Sequence, residues 1–163
     1  MDEQNQQKSQ AKSDIKGIIG QLEAILDEYM VKKAPFALPM GVKEFIVKVS
    51  PYLIIIFAIL GLPIILAAIG FSAFLAPVAV LGGSTWGFSS IISLAVAVIV
   101  VVMELMAVSG LFKRSKKGWQ MLFYASIVSL IGSIISITGI VSGIIGAIIG
   151  WYILFQVKDM YKN

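Results

Sequence analysis

A single carboxyl group lies inside a long apolar part of this sequence. Glu104 is the only Asp, Glu, Lys or Arg residue between Lys48 and Lys113. It precedes Lys113 by nine residues, which corresponds to about 13 Å along a helix. Carboxyl groups inside a bilayer are costly to insert and indicate functional sites by default. We therefore predict that Glu104 either binds a proton or a cation, or is a protonated group that fixes helix packing through hydrogen bonds to Tyr or Ser.

The residues that share a helix face with Glu104 are small or polar: Ser90, Ser93, Ala97 and Ala107. Its carboxyl group is therefore expected to point into a helix bundle rather than toward lipid. Matching the depth of Glu104 along antiparallel neighbouring helices places four hydrogen-bonding side chains within its reach. These predicted partners are Tyr124, Ser126, Tyr152 and Gln156.

Two stripes of small residues follow at helical spacing. The serines are three, four and three positions apart, and they are Ser126, Ser129, Ser133 and Ser136. The glycines are four, three and four positions apart, and they are Gly139, Gly143, Gly146 and Gly150. Small faces let helix backbones approach closely, and hydroxyl groups can bond across helices. We expect the two stripes to pack together within a hairpin or between subunits; the alternative is a serine-lined polar pathway.

The composition excludes most enzyme classes. The chain has no His and no Cys, which excludes disulfides, thiolate nucleophiles, the usual zinc sites and imidazole acid–base chemistry. It also lacks a GxGxxG motif, a P-loop, an HExxH motif and any cluster of carboxylates. We therefore expect a protein that is not an enzyme and that has no catalytic residue, metal or cofactor.

The composition also predicts the fold class. Hydrophobic residues make up 58% of the chain and charged residues 13%, against roughly 45–50% and about 25% in soluble domains. One water-soluble core of this size cannot hide that excess, so an all-α membrane protein follows. The segment 71–81 is too short to cross a bilayer and contains Pro77, so we expect it to be re-entrant or interfacial. The bundle over 50–157 should have four transmembrane helices, at about 50–69, 88–112, 119–137 and 140–157.

The segments outside the bundle are polar or amphipathic. Residues 1–12 read as a disordered tail, 34–49 as a linker with an interfacial lead-in, and 158–163 as a polar tail. Residues 13–33 form a predicted amphipathic helix, too charged to span a membrane. Its polar face is acidic and mixed, so a partner helix from a second copy or another protein suits it better than the membrane surface. Its partner face would consist of Ile15, Ile18, Leu22, Ile25 and Tyr29.

The basic residues predict the orientation in the membrane. In the four-span arrangement all 13 lysines and arginines fall on one side, and short basic loops stay in the cytoplasm. Both termini are therefore expected to be cytoplasmic. The loop between the second and third spans is a topology signal that could also attract anionic lipid head groups. Its basic residues are Lys113, Arg114, Lys116 and Lys117, too small a patch for nucleic acid.

Three stretches carry a resemblance to known proteins: VKKAPFALPMGVKEFIVKVSPYL, LFKRSKKGWQMLFYASIVSL and IIGWYILFQVKDMYK. Together, over roughly residues 30–162, they resemble a group of small, uncharacterised bacterial four-span integral membrane proteins. That resemblance implies the bacterial inner membrane and adds no catalytic residue. Small multidrug transporters also have four spans and one buried Glu, but theirs lies in the first span, whereas Glu104 lies in the second. We do not assign the chain to that family.

These patterns favour a non-enzymatic membrane scaffold or accessory subunit in the bacterial inner membrane. It would associate with a second copy or another membrane protein through its N-terminal helix and its Gly/Ser faces. The alternative is a small oligomeric channel or a proton-linked transporter that uses Glu104.

Overall fold

The computed structural model describes residues 2–81, 86–135 and 139–162, which are almost entirely helical. Two compact units divide the chain, Met1–Ala37 and Leu38–Asn163, and each is described by itself. The first unit contains α1 (Asp2–Asp27) and a π-helical turn, Glu28–Lys32. The second unit contains α2 (Met40–Leu81), α3 (Trp86–Phe112), α4 (Lys116–Ile135), α5 (Ile140–Gln156) and a 3-10 turn, Lys158–Met160.

The first unit is helical from its second residue. The structure differs here from the prediction of a disordered tail over 1–12, because α1 begins at Asp2. Gln, Glu, Lys and Ala are good helix formers, so this polar segment extends the helix that the apolar stripe begins. Most of the predicted partner face is exposed, and Leu22 is half-buried. The exposed members are Ile15, Ile18, Ile25 and Tyr29.

The helix α2 is 42 residues long, which corresponds to about 63 Å. It starts directly after Pro39, whose carbonyl oxygen accepts the Val42 amide at 2.9 Å. It then continues without interruption through 71–81, whereas we predicted a separate re-entrant or interfacial segment there. Three prolines, Pro51, Pro63 and Pro77, lie inside it. In an apolar medium the backbone N–H and C=O groups must form hydrogen bonds within their own segment. The helix therefore continues, although each proline removes one backbone hydrogen bond.

Three helices are long and apolar enough to cross a bilayer, over Met40–Leu75, Ile92–Phe112 and Lys116–Ile135. The chain is therefore an all-helical membrane protein over its described residues. The helix α5 is apolar but has only 17 residues, about 26 Å at the helical rise. A fourth crossing by α5 stays a prediction. Ser136 of the predicted serine stripe lies outside the described residues.

The helices of the second unit pack largely in chain order. The helix α3 packs against both α2 and α4, and α4 packs against α5. The buried core lies where α4 begins and α5 ends, and it includes Trp119, Phe123 and Phe155. Elsewhere most large apolar side chains of these helices are exposed, as expected for surfaces that face lipid.

Residues 113–117 and 158–162 lie at one end of the second unit, which we call the basic end. Polar contacts join α2 to both of these segments. Arg114 forms two hydrogen bonds with the Glu44 carboxylate, at 3.0 and 3.2 Å. The hydroxyl groups of Ser50 and Tyr161 lie 3.4 Å apart. The start of α2, the α3–α4 loop and the C-terminal turn are therefore held together.

Candidate intramembrane site

The helices α3, α4 and α5 line a cleft of about 640 Å³. Its lining combines apolar side chains with Glu104, five serines and five glycines. Ser129, Ser142, Gly146 and Gly150 are all exposed, so the cleft opens at the side of the bundle. The lining serines are Ser93, Ser126, Ser129, Ser133 and Ser142, and the glycines are Gly132, Gly139, Gly143, Gly146 and Gly150.

Glu104 is the only charged residue of the cleft. Its side chain is half-buried on α3, on the same wall as Ser93 and Ala97. Across residues 2–81, 86–135 and 139–162 its carboxylate has neither a hydrogen bond nor a salt bridge to the protein. A carboxyl group at this depth therefore needs water, a proton, a cation or a polar group from another molecule.

Of the four predicted partners of Glu104, the structure brings only Ser126 to the cleft. The Ser126 hydroxyl donates to the Phe123 carbonyl at 2.7 Å and accepts the Trp151 indole N–H at 2.7 Å. Gln156 is 1% exposed, and its Oε1 accepts the Leu38 amide at 3.2 Å. Tyr124 and Tyr152 are half-buried outside the cleft. Each is one or two positions from a residue that lines the cleft, and so projects from a different side of its helix.

Within the described residues, the serine and glycine stripes come into close contact at Ser133 and Gly143. A Cβ atom on Gly143 would overlap the Ser133 side chain, so α4 and α5 approach closely there. At Gly146 and Gly150, a Cβ atom would meet nothing within 4 Å. The hydroxyl groups of Ser133 and Ser142 donate to carbonyl oxygens of their own helices, at 3.0 and 3.1 Å. The stripes therefore pack near the α4–α5 connection and line open space beyond it.

An aromatic cluster separates α4 from α5 toward the basic end. The Trp119 and Phe155 ring centroids lie 5.2 Å apart, and those of Phe123 and Phe155 lie 5.4 Å apart. The Trp119 indole N–H also donates to the Leu154 carbonyl at 2.8 Å. Bulky rings therefore lie between α4 and α5 toward the basic end, whereas the two helices approach closely at Gly143.

Our predictions from the sequence did not include this aromatic cluster. The available signal was the spacing of four residues within each aromatic pair, Trp119 with Phe123 and Trp151 with Phe155. Residues at that spacing lie on one face of a helix. Two such faces on adjacent antiparallel helices predict a shared aromatic core.

The four basic residues of the α3–α4 loop have different surroundings. Arg114 is bound to Glu44, and this carboxylate raises the pKa of the guanidinium group. Lys116 lines a groove at the basic end, while Lys113 and Lys117 are exposed. Nearby, burial raises the pKa of the Tyr161 phenol. The loop is thus partly engaged in packing and partly exposed.

No protein-family model, curated protein or solved structure matches this chain. The described residues contain no group of three acidic, His or Cys side chains that could hold a metal ion. The cleft offers one carboxylate, several hydroxyl groups and exposed glycine backbone. Such a surface can bind a proton, a cation or a closely approaching polar helix.

Proposed function

We propose that this protein is a non-enzymatic scaffold or accessory subunit of the membrane, and that its cleft receives a helix of a second copy. The observation that carries the proposal is the open space at Gly146 and Gly150, where an added Cβ atom meets nothing within 4 Å. Both glycines are exposed and belong to the sequence GAIIG. This GxxxG spacing lets two membrane helices cross with their backbones in contact.

A second copy suits the cleft in shape and in chemistry. Contact between identical faces gives a closed twofold dimer, the commonest symmetric assembly. The hydroxyl groups and backbone of an approaching α5 would also provide hydrogen-bonding groups to the Glu104 carboxylate. Lipid acyl chains cannot supply such groups, so a polar helix is a better neighbour for this side of the bundle.

The first unit offers another contact surface. Its exposed Ile15, Ile18 and Ile25 are spaced for one helix face, which favours packing against a partner helix. With α5 as a fourth span, all of the chain's basic segments lie on one side. That distribution supports cytoplasmic termini in the bacterial inner membrane.

The dimer is tested by filling the open face with larger side chains. In the isolated chain Gly146→Ile and Gly150→Ile meet no neighbouring atom at Cβ, so folding should be retained. We expect the wild-type chain to be a dimer in lipid nanodiscs and the double variant to be a monomer. The matched control is Gly70→Ile, which also has nothing within 4 Å on an apolar helix but lies outside the cleft. A wild-type monomer, or a double variant that still dimerises, contradicts the proposal.

A second function is favoured by the Glu104 carboxylate, which faces the cleft without a bond to the described part of the chain. Such a group suits a small oligomeric channel or a proton-linked transporter. In proteoliposomes this function predicts a proton flux that Glu104→Gln abolishes and that the exposed control Asp14→Asn leaves unchanged. If the wild-type chain carries no flux, the transporter function is wrong and the scaffold proposal stands.

A further inference from the structure

A groove of about 560 Å³ lies at the basic end of the second unit. It is formed by the first turn of α4 and by the C-terminal turn with the two residues that follow it, two segments about forty positions apart in sequence. Its lining carries three ammonium groups and one carboxylate, so its net charge is positive. The lining residues are Lys116, Trp119, Lys158, Asp159, Tyr161 and Lys162.

The C-terminal turn that carries two of these lysines is fixed by buried anchors. Val157 and Tyr161 are 2% and 5% exposed, respectively. The Lys158 Nζ atom lies 5.3 Å from the ring centroids of both Trp119 and Phe155, a distance at which an ammonium group is attracted to an aromatic face. Trp119 itself is fully buried and forms the floor of the groove. The groove is therefore built by the folded core and is not a chance arrangement of loose side chains.

The positive charge of the groove is only partly compensated. Within the described ranges, neither Lys116 nor Lys162 forms a salt bridge. The nearby Arg114 differs, since the Glu44 carboxylate already binds its guanidinium group at 3.0 Å. Asp159 is the one acidic residue of the groove. A ligand with one or two negative charges would therefore complement this surface.

The groove also lies at an end of the apolar helices, next to exposed aromatic side chains. It opens where the apolar helix α4 begins and shortly after α5 ends. At the same end, Tyr52 and Phe112 are exposed and their rings meet edge to face, with centroids 5.0 Å apart. Exposed aromatic rings at helix ends are typical of the head-group region. Basic pockets in that region bind the anionic head groups of lipids.

We propose that this groove binds the phosphate head group of an anionic phospholipid. Lys116 comes from the loop, and Lys158 and Lys162 come from the C-terminal turn. Together they would surround the phosphate over the Trp119 floor, while the acyl chains extend along the exposed apolar surface of the bundle. The site ties the C-terminal segment to the membrane surface and is independent of the dimer proposed above.

The experiment measures lipid binding to the full chain in a zwitterionic detergent by native mass spectrometry. The probes are short-chain phosphatidylglycerol, short-chain phosphatidylcholine, glycerol 3-phosphate and inorganic phosphate. We expect phosphatidylglycerol to bind more tightly than the other three. Lysines near a membrane surface contribute roughly fivefold each to anionic lipid affinity. The variant Lys158→Gln/Lys162→Gln should therefore weaken phosphatidylglycerol binding by roughly 25-fold.

Two further variants separate the groove from general charge and from misfolding. Lys12→Gln/Lys16→Gln removes the same charge at exposed lysines that do not line the groove and should change the affinity by less than about twofold, because surface charges outside a contact are screened. Lys116→Gln/Lys162→Gln leaves the contact of Lys158 with Trp119 in place and should still weaken binding. The proposal is overturned if phosphatidylcholine or inorganic phosphate binds as tightly as phosphatidylglycerol, or if the outside variant loses as much affinity as the groove variants.

Discussion

Gly110 and Gly118 lie backbone against backbone at the corner between α3 and α4. A Cβ atom on Gly118 would come within 2.6 Å of the Gly110 carbonyl carbon, and one on Gly110 within 2.7 Å of the Gly118 Cα. The Gly118 amide also donates to the Ser115 hydroxyl at 3.2 Å, which caps the start of α4. The two helices can therefore turn within a few residues only because both positions lack a side chain.

The first prediction concerns Gly118→Ala. The added methyl group meets backbone atoms, which cannot move aside as a side chain would, so we expect a loss of about 1–3 kcal/mol in stability. Thermal unfolding of the detergent-solubilised protein measures it. The matched control is Gly70→Ala, at a helical glycine with nothing within 4 Å. The control should be neutral or more stable, because Ala is the better helix former. Equal effects of both changes would show that the corner is not tightly packed.

The second prediction concerns Arg114, which lies two residues after the end of α3 and has a φ of 50°. The Ser115 amide donates to the Gly110 carbonyl at 2.8 Å and the Arg114 amide to the Leu111 carbonyl at 2.9 Å. This pattern is a helix end at which glycine is preferred, since other residues are strained in the left-handed region. Arg114→Gly should therefore be more stable than Arg114→Ala, although both lose the bond to Glu44.

The variant Glu44→Gln isolates the ion pair of Arg114 from its backbone strain. The pair is exposed to solvent, so its contribution should shrink as salt is added. The difference in unfolding temperature between the wild type and Glu44→Gln should therefore be smaller in high salt than in low salt. The interpretation of Arg114 is wrong if Arg114→Ala is as stable as Arg114→Gly at both salt concentrations.

The third prediction concerns pH and Tyr161. Burial raises the pKa of this phenol above its ordinary value of 10.0, and its contact with the Ser50 hydroxyl offsets only part of that effect. Above pH 10 the unfolded chain loses the phenolic proton while the folded chain keeps it, so stability falls as pH rises further. Between pH 8 and 11 the free energy of unfolding should therefore fall more steeply with pH for the wild type than for Tyr161→Phe. Parallel curves would contradict a buried neutral phenol.

The fourth prediction concerns the number of membrane crossings. The chain has no Cys, so single-cysteine variants report positions without background. If α5 crosses the bilayer, Lys117→Cys and Lys162→Cys react with an impermeant thiol reagent from the same side, and Gly139→Cys reacts from the other side. Reaction of Gly139→Cys and Lys162→Cys from the same side would mean that α5 does not span. The readout is labelling of intact cells against labelling of inverted vesicles.

Spacing within one helix was enough to predict several features of the cleft. Helical spacing placed the serines on one helix face and the glycines on another, and the stripe members within the described residues line the cleft together with Glu104. Spacing did not predict where the stripes separate, because that depends on the aromatic side chains between α4 and α5. It also placed Gln156 beside Glu104, whereas its amide oxygen binds the Leu38 backbone at 3.2 Å, a contact 118 positions apart in sequence.

The boundaries of the helices were predicted less well, for a physical reason. Pro77 suggested that a helix ends before 71–81, and the polar run over 1–12 suggested that no helix begins there. In an apolar medium, however, continuing the helix costs less than exposing backbone groups, so α2 runs through Pro77. In the N-terminal segment, side chains that favour helix join the helix already formed by their neighbours. Local composition therefore misplaces helix ends that depend on the medium around the helix or on the neighbouring residues of the chain.

The length of α2 has a consequence for the lipid around it. Residues 51–81 of this helix carry no charge, and at the helical rise they extend about 46 Å, against a hydrocarbon thickness of about 30 Å. Such hydrophobic mismatch is relieved by a steep tilt of the helix or by a local thickening of the bilayer. Either change costs free energy that grows with the excess of apolar helix length over hydrocarbon thickness. The protein should accordingly partition into thicker membrane regions and draw longer-chain lipids to its α2 side.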